Sequence, residues 1–363
     1  MMIWAIIATI AMSAGISMLA TPMVRQLAER IGMMDIPQRH KGHAGPVPLL
    51  GGSAVFTAIL LPSLLALALV KIWAEQGAPG WLPEALAIHI PGAATKACQA
   101  IGILTGAMIL HIVGLIDDRR NLGPWLKLIV ELLVAGGVVI LLDVRILTVA
   151  GDAVSITASI VWLVAITNAF NFLDNMDGLS AGVAAICATA LLGATAMIGQ
   201  IFVSAWLCLI LGALLGFLPY NFAPASIYMG DSGSLVVGFL LGVTSCLTTY
   251  GLLTPMSYHY GLIVPLVLMA VPLYDTASVI LLRIRERRNP MVGDRRHFSH
   301  RLIRRGMSVR SAVLTIYLCT AATAVSASLL PHVATATGAI LILCQTIGII
   351  MLVALLESGD AKP

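Results

Sequence analysis

Residues 97–116 contain no Asp, Glu, Lys or Arg, and runs of this kind recur along the whole chain. About 20 apolar residues suffice to cross a bilayer core about 30 Å thick. Inside that core each backbone amide must find its partner within the chain, so such runs dictate membrane-spanning helices. The pattern predicts eleven, at approximately 2–20, 49–70, 96–116, 124–142, 156–172, 180–198, 201–219, 234–253, 259–282, 309–330 and 333–356. Charged residues make up 10% of the chain, against about 25% in an ordinary globular domain. No polar stretch is long enough for a separate soluble domain. The expected fold is therefore an all-α polytopic integral membrane protein, with 1–363 forming a single transmembrane domain and any chemistry placed in helices and their loops.

Threading the eleven spans with the N-terminus outside puts 18 of the 21 Lys and Arg residues on the cytoplasmic side. Only Lys71, Lys96 and Arg145 fall opposite. The positive-inside rule thus predicts the N-terminus out and the C-terminus in, at the cell's inner membrane. Many of these arginines need do no more than hold topology and touch anionic headgroups.

The same threading places every polar motif on one face, formed by loops 21–48, 117–123, 173–179, 220–233 and 283–308. Asp117 and Asp118 end the third span in GLIDDRRNLG. Asn171, Asp174, Asn175 and Asp177 follow the fifth in NFLDNMDGLS. Asn221 and Asp231 lie after the seventh in PYNFAPASIYMGDSGS, and His297 and His300 after the ninth in GDRRHFSHRLIRRG. Five of the 17 acidic residues sit in the first three of these short motifs. Should NFLDNMDG continue the helix, Asn171, Asp174 and Asp177 share roughly one side. The bland alternative for Asp117 and Asp118 is pairing with Arg119 and Arg120 at the water interface.

Carboxylates gathered opposite arginines and histidines point to phosphate chemistry. Acids hold Mg²⁺, the metal binds phosphate oxygens, and Arg or His complements the remaining negative charge. The pair His297 and His300 resembles half a zinc site, but no third ligand follows at suitable spacing. Neither a Walker A sequence nor a G-x-G-x-x-G cradle is present. Asp275, His111 and Glu131, inside apolar spans, read as core polar residues with partners, Asp275 pairing beneath the site.

These motifs together resemble the polyprenyl-phosphate N-acetylhexosamine-1-phosphate transferases, of glycosyltransferase 4 type. DIPQRHKGHAGPVPLLGG, GLIDDRRNLGPWLKL, NAFNFLDNMDGLSAG, YNFAPASIYMGDSGSL, PLYDTASVILLR and the histidine loop carry the resemblance, in the family's order. It implies transfer of a sugar 1-phosphate, N-acetylglucosamine 1-phosphate being favoured, from a UDP-sugar to polyprenyl phosphate. UMP is released, and the lipid product initiates a cell-envelope polysaccharide. By position, Asp117 and Asp118 match the catalytic pair, and Asp231, with Asp117, the Mg²⁺ site, where Mn²⁺ is an alternative. Asp174 and Asp177 match the nucleotide-side acids, with Asn171 and Asn221 beside them on the substrate. Lys127, Lys41 and His43 match basic substrate-binding positions, and His297 and His300 the signature of the last large loop. That signature is often His-x-His-His, and Ser299 departs from it. The partners implied are the UDP-sugar, the polyprenyl phosphate and membrane lipid, with no nucleic acid and a homodimer as the assembly to test.

Two other classes use similar residues. An intramembrane Mg²⁺-dependent prenyltransferase wants two D-x-x-x-D-type motifs, whereas DD, DNMD and GDSG stand here. A proton-coupled secondary transporter places its acids near the midplane of inverted repeats, and no such repeat is seen.

Overall fold

The computed structural model describes residues 2–35, 45–250, 263–287, 297–333 and 335–358. In chain order the helices are α1 (Met2–Ile31), α2 (Gly51–Gln76), α3 (Glu84–Ala87), α4 (Ile90–Thr95), α5 (Ala97–Arg120), α6 (Pro124–Leu141), α7 (Asp152–Leu173) and α8 (Leu179–Met197). They continue with α9 (Ile201–Asn221), α10 (Asp231–Leu247), α11 (Val264–Leu268), α12 (Ala270–Arg285), α13 (Phe298–Arg304), α14 (Val309–Leu329) and α15 (Ala336–Ser358). Among the described residues nine of these are long and apolar enough to cross a membrane, and α10 is a shorter apolar helix. The protein is an all-α polytopic membrane protein.

Each expected span has a helical counterpart, with shifted bounds, as where α5 runs to Arg120 into the expected 117–123 loop and α10 spans Asp231–Leu247 in place of 234–253, and with three larger differences. The first expected span stops at residue 20, but α1 runs on to Ile31, so part of the expected 21–48 loop is helical. The ninth is two helices meeting at Met269. Pro272 has no N–H to offer the carbonyl of Leu268, so the helical ladder is open where the two meet. Third, the NFLDNMDG stretch does not continue its helix. α7 ends at Leu173, Asp174 turns away at φ −78°, ψ 45°, and Gly178 at φ +73° starts α8. Left-handed backbone at Gly178 suits a residue with no Cβ.

The organising element is α10. Every residue from Ser232 to Cys246 is buried, because α2, α5, α7, α8 and α9 all pack around it. Such enclosure needs small residues where backbones meet. A Cβ on Gly238 would lie 2.8 Å from Thr167 Cα of α7, and one on Gly114 of α5 would overlap the Ser232 backbone. A short antiparallel pair, Met34–Asp35 with Val47–Pro48, precedes α2. Just beyond it, Gly51 N–H donates to the Tyr228 carbonyl and Gly52 N–H to that of Met229, each at 2.9 Å. The residues leading into α10 are thereby fixed to the entry of α2, and the N-terminus of α10 opens on the cluster of acids.

Candidate active site

The acidic pair at the end of α5 divides its work. Asp118 turns to α10, its Oδ1 accepting the Asp231 N–H at 2.9 Å and its Oδ2 the Ser232 N–H at 3.1 Å. The first N–H groups of a helix have no internal acceptor, and a carboxylate there also meets the positive end of the helix dipole. Gly230, which occupies the cap position at φ +70°, has no side chain to do this. A Cβ on Gly230 would sit 2.7 Å from Asp118 Oδ2, so the close approach requires glycine.

Asp117 faces the other way. Its Oδ1 accepts the Leu122 N–H at 2.7 Å, and its Oδ2 accepts from Lys127 Nζ at 2.9 Å. The same ammonium donates to Asp231 Oδ2 at 2.7 Å. The other oxygen of Asp231 accepts from Asn171 Nδ2 at 2.9 Å, and that amide also donates to Ser234 Oγ at 2.9 Å. Four helices, α5, α6, α10 and α7, are thus joined by one polar chain. It is neither buried nor free in water: the side chains of Asp117, Lys127 and Asp231 are 11%, 20% and 26% exposed.

The turn between α7 and α8 supplies the next acids. Burial, then the carboxylates of Asp231 and Asp118, hold Asp174 well above the usual carboxylate range, against a lowering hydrogen bond from the Gly230 N–H. Asp177 accepts the Ala225 N–H at 2.9 Å. Burial, then the Asp177 charge, pushes the neighbouring Tyr228 phenol up. Asn221 donates to the Ile227 carbonyl at 3.0 Å, while its Oδ1 is buried with no hydrogen-bond partner among the described residues.

His297 precedes α13, its ring edge-to-face with Phe172 at a centroid distance of 6.0 Å. His300 lies one turn on, partly buried. Ser299, the departure noted above, donates to Asn175 Oδ1 at 2.6 Å and so ties α13 to the acidic turn. Lys41 and His43 lie outside the described residues. Asp117, Lys127, Asn171 and Asp231 therefore form one direct network, with Asp118 behind it. Asp174 interacts electrostatically with that network, while Asp177 and Asn221 engage the 221–228 loop.

The core polar residues have partners. Glu131 accepts from Asn168, and His111 spans Ser53 Oγ at 3.3 Å and the Ser232 carbonyl at 2.9 Å. Ser234 and the Ser299–Asn175 bond escaped the sequence reading. Ser234 had a signal, since it stands one helical turn after Asp231.

The donor set suits a hard cation. Mg²⁺ takes oxygen ligands, commonly one or two carboxylates plus substrate phosphates and water. Asp117 Oδ2 and Asp231 Oδ2 already face a common positive charge, the Lys127 ammonium. Among the described residues no three His, Cys, Asp or Glu side chains converge to hold a metal, so phosphate oxygens and water would have to complete its shell.

The profile of a family described as glycosyl transferase family 4 matches residues 100–249, the stretch from α5 to the end of α10. A decaprenyl-phosphate N-acetylglucosaminephosphotransferase of Mycolicibacterium smegmatis is 34% identical over 332 residues, 84% of this chain and 77% of that protein. A probable undecaprenyl-phosphate N-acetylglucosaminyl 1-phosphate transferase of Bacillus subtilis is 29% identical over 309 residues, 83% and 78% of the two chains. An undecaprenyl-phosphate alpha-N-acetylglucosaminyl 1-phosphate transferase of Escherichia coli is 26% identical over 314 residues, 82% and 76%.

Proposed function

The chain belongs to glycosyl transferase family 4, and from that premise we propose that it transfers N-acetylglucosamine 1-phosphate from a UDP-sugar to a polyprenyl phosphate. The products are UMP and a polyprenyl-diphosphate sugar, the lipid-linked start of a cell-envelope glycan. The observation that carries this reading is the Asp117–Lys127–Asp231–Asn171 network. It sets two carboxylates around one cation at the end of a membrane-spanning helix, where a lipid phosphate and a water-soluble nucleotide can meet. The one-sided Lys and Arg distribution supports a cytoplasmic site.

In the reaction an oxygen of the lipid phosphate attacks the β-phosphorus of the UDP-sugar. A new P–O bond forms, the bond to the α-phosphate bridging oxygen breaks, and UMP leaves with the electron pair. A phosphomonoester has a second pKa near 6, so the acceptor is largely dianionic at neutral pH and needs little general-base help. Positioning and charge neutralisation then supply most of the acceleration. Asp117 orients the acceptor and takes any residual proton, and Asp118 supports the site by holding the start of α10. Lys127 neutralises charge between the reactants. Asp231 and Asp117 would hold Mg²⁺, which when bound screens the repulsion between two anionic substrates. Asp174, Asp177, Asn171 and Asn221 serve the donor side, and His297 and His300 the diphosphate.

The test is direct. Purified protein given UDP-N-acetylglucosamine, a polyprenyl phosphate and Mg²⁺ should release UMP in step with the lipid-linked sugar. Absence of UMP release with both substrates present would overturn the reading.

A further inference from the structure

Asp275 stands on α12, outside the network above, and is 1% exposed. Its Oδ2 contacts His297 Nδ1 at 2.8 Å, and its Oδ1 accepts the Phe298 N–H at 2.6 Å. With both carboxylate oxygens serving as acceptors, one for the Phe298 N–H and one facing the ring, the arrangement matches the tautomer that carries its proton on Nδ1. The remaining nitrogen, Nε2, is then the one left for other work, as the partner of one imidazole nitrogen sets the role of the other.

The ring is held from other directions too. Phe172 of α7 meets it edge-to-face at 69°, and the Arg283 guanidinium lies 5.9 Å from the centre of the Phe172 ring. Further along α13, Ser299 is bonded to Asn175, and Arg301 Nη2 donates to Ser278 Oγ at 2.6 Å. Arg301 Nε also lies 3.1 Å from Glu357 Oε2, at the end of α15. A loop that merely joined two helices would not need one histidine fixed by a buried carboxylate within a helix tied down at three further points.

We propose that Asp275 is a positioning residue for His297: the carboxylate fixes the Nδ1–H tautomer and turns Nε2 toward the diphosphate of the reacting sugar nucleotide. This rests on the proposed transferase reading for what Nε2 meets, but the Asp275–His297 pairing can be tested without it. A plain helix-capping role for Asp275 uses the Phe298 N–H alone, and the two roles separate by substitution. In Asp275→Asn the carbonyl oxygen can still accept the Phe298 N–H, leaving the NH₂ group to face His297 Nδ1. That nitrogen must then accept, and the ring shifts its proton to Nε2.

The experiment is a double-mutant cycle with Asp275→Asn, His297→Gln and the pair, on full-length protein, alongside ¹⁵N-histidine spectra of wild type and Asp275→Asn. Asp275→Asn should lower kcat on the order of 10- to 100-fold, the scale at which partners that orient a working histidine act. KM for polyprenyl phosphate and the thermal unfolding midpoint should stay near wild type. In the His297→Gln background the same substitution should cost nothing further. The spectra should show His297 passing from the Nδ1–H to the Nε2–H form. Equal losses from Asp275→Asn in both backgrounds, or an unchanged tautomer, would overturn the proposal. Full activity in His297→Gln would overturn it too, while continued UMP release would leave the transferase reading standing. Wild-type protein that releases no UMP would sink that reading instead, and the spectra would still decide whether Asp275 fixes the ring.

Discussion

The carboxylate of Asp118 accepts the backbone N–H of Asp231 at 2.9 Å, so one acid of the Asp117–Asp118 pair builds the helix on which another acid stands. Asp118→Asn keeps one acceptor oxygen and should retain part of this function, whereas Asp118→Ala removes it. Loss of a helix cap costs about 0.5–2 kcal/mol. The Ala variant should therefore unfold earlier than Asn in detergent and lose more activity. Equal behaviour of the two would mean that the charge of Asp118, and not its capping geometry, is what counts.

Lys127 lies between Asp117 and Asp231, so a divalent cation held there, as proposed, would compete with it for the same oxygens. In Lys127→Gln the half-saturating Mg²⁺ concentration should fall, because the competitor is gone. Turnover should nevertheless drop by about 10-fold or more, since the proposed role of Lys127 is to neutralise charge between the reactants. Titration of UMP release with Mg²⁺ measures both at once.

Metal dependence is expected to be absolute. Chelation should abolish turnover, Mg²⁺ should restore it and Mn²⁺ should substitute in part. Asp231→Asn should weaken the response to metal more than the binding of lipid. Undiminished release of UMP in excess chelator would remove the metal from the mechanism.

The raised pKa of Asp174 has a definite sign. A carboxyl whose folded pKa lies above its unfolded value contributes stability at low pH that is lost as pH rises through the folded value. Without metal, Asp174→Asn should therefore be more thermally stable than wild type at neutral and alkaline pH. The difference should shrink as pH falls toward the ordinary aspartate value near 3.9. Unfolding midpoints across that range check it, with UMP release expected to be low in the variant throughout.

Sidedness is open to labelling. Cysteines placed at the exposed residues Asn121 and Asp152, in a cysteine-free background, report on opposite ends of the spans. The first should react only from the cytoplasm and the second from outside. The reverse pattern would remove the donor's access to the site.

Much of this architecture is legible in the amino-acid sequence. Each apolar run is long because lipid leaves backbone groups no partner outside the helix, so spans announce themselves by length. The motifs at their ends stood out because charge is scarce elsewhere. What stayed hidden depends on contacts distant in sequence. Nothing near Gly230 says that α10 begins at Asp231, because its cap comes from Asp118. The acids of NFLDNMDG recur at helical spacing, yet the helix ends at Leu173 and Gly178 reverses the chain. Ser299 looked like a missing histidine, and its bond to Asn175 could not be seen from the loop alone.

The enclosure of α10 bears on how the protein meets bilayers of different composition. Membrane proteins answer a change in hydrocarbon thickness by tilting or shifting the helices that touch lipid. Those are chiefly α1 and α15, the least buried spans, whereas α10 is shielded along its length. Short- and long-chain lipids would strain the periphery first and leave Asp231 at its station, so acyl-chain length should alter catalysis far less than it alters the tilt of the outer helices.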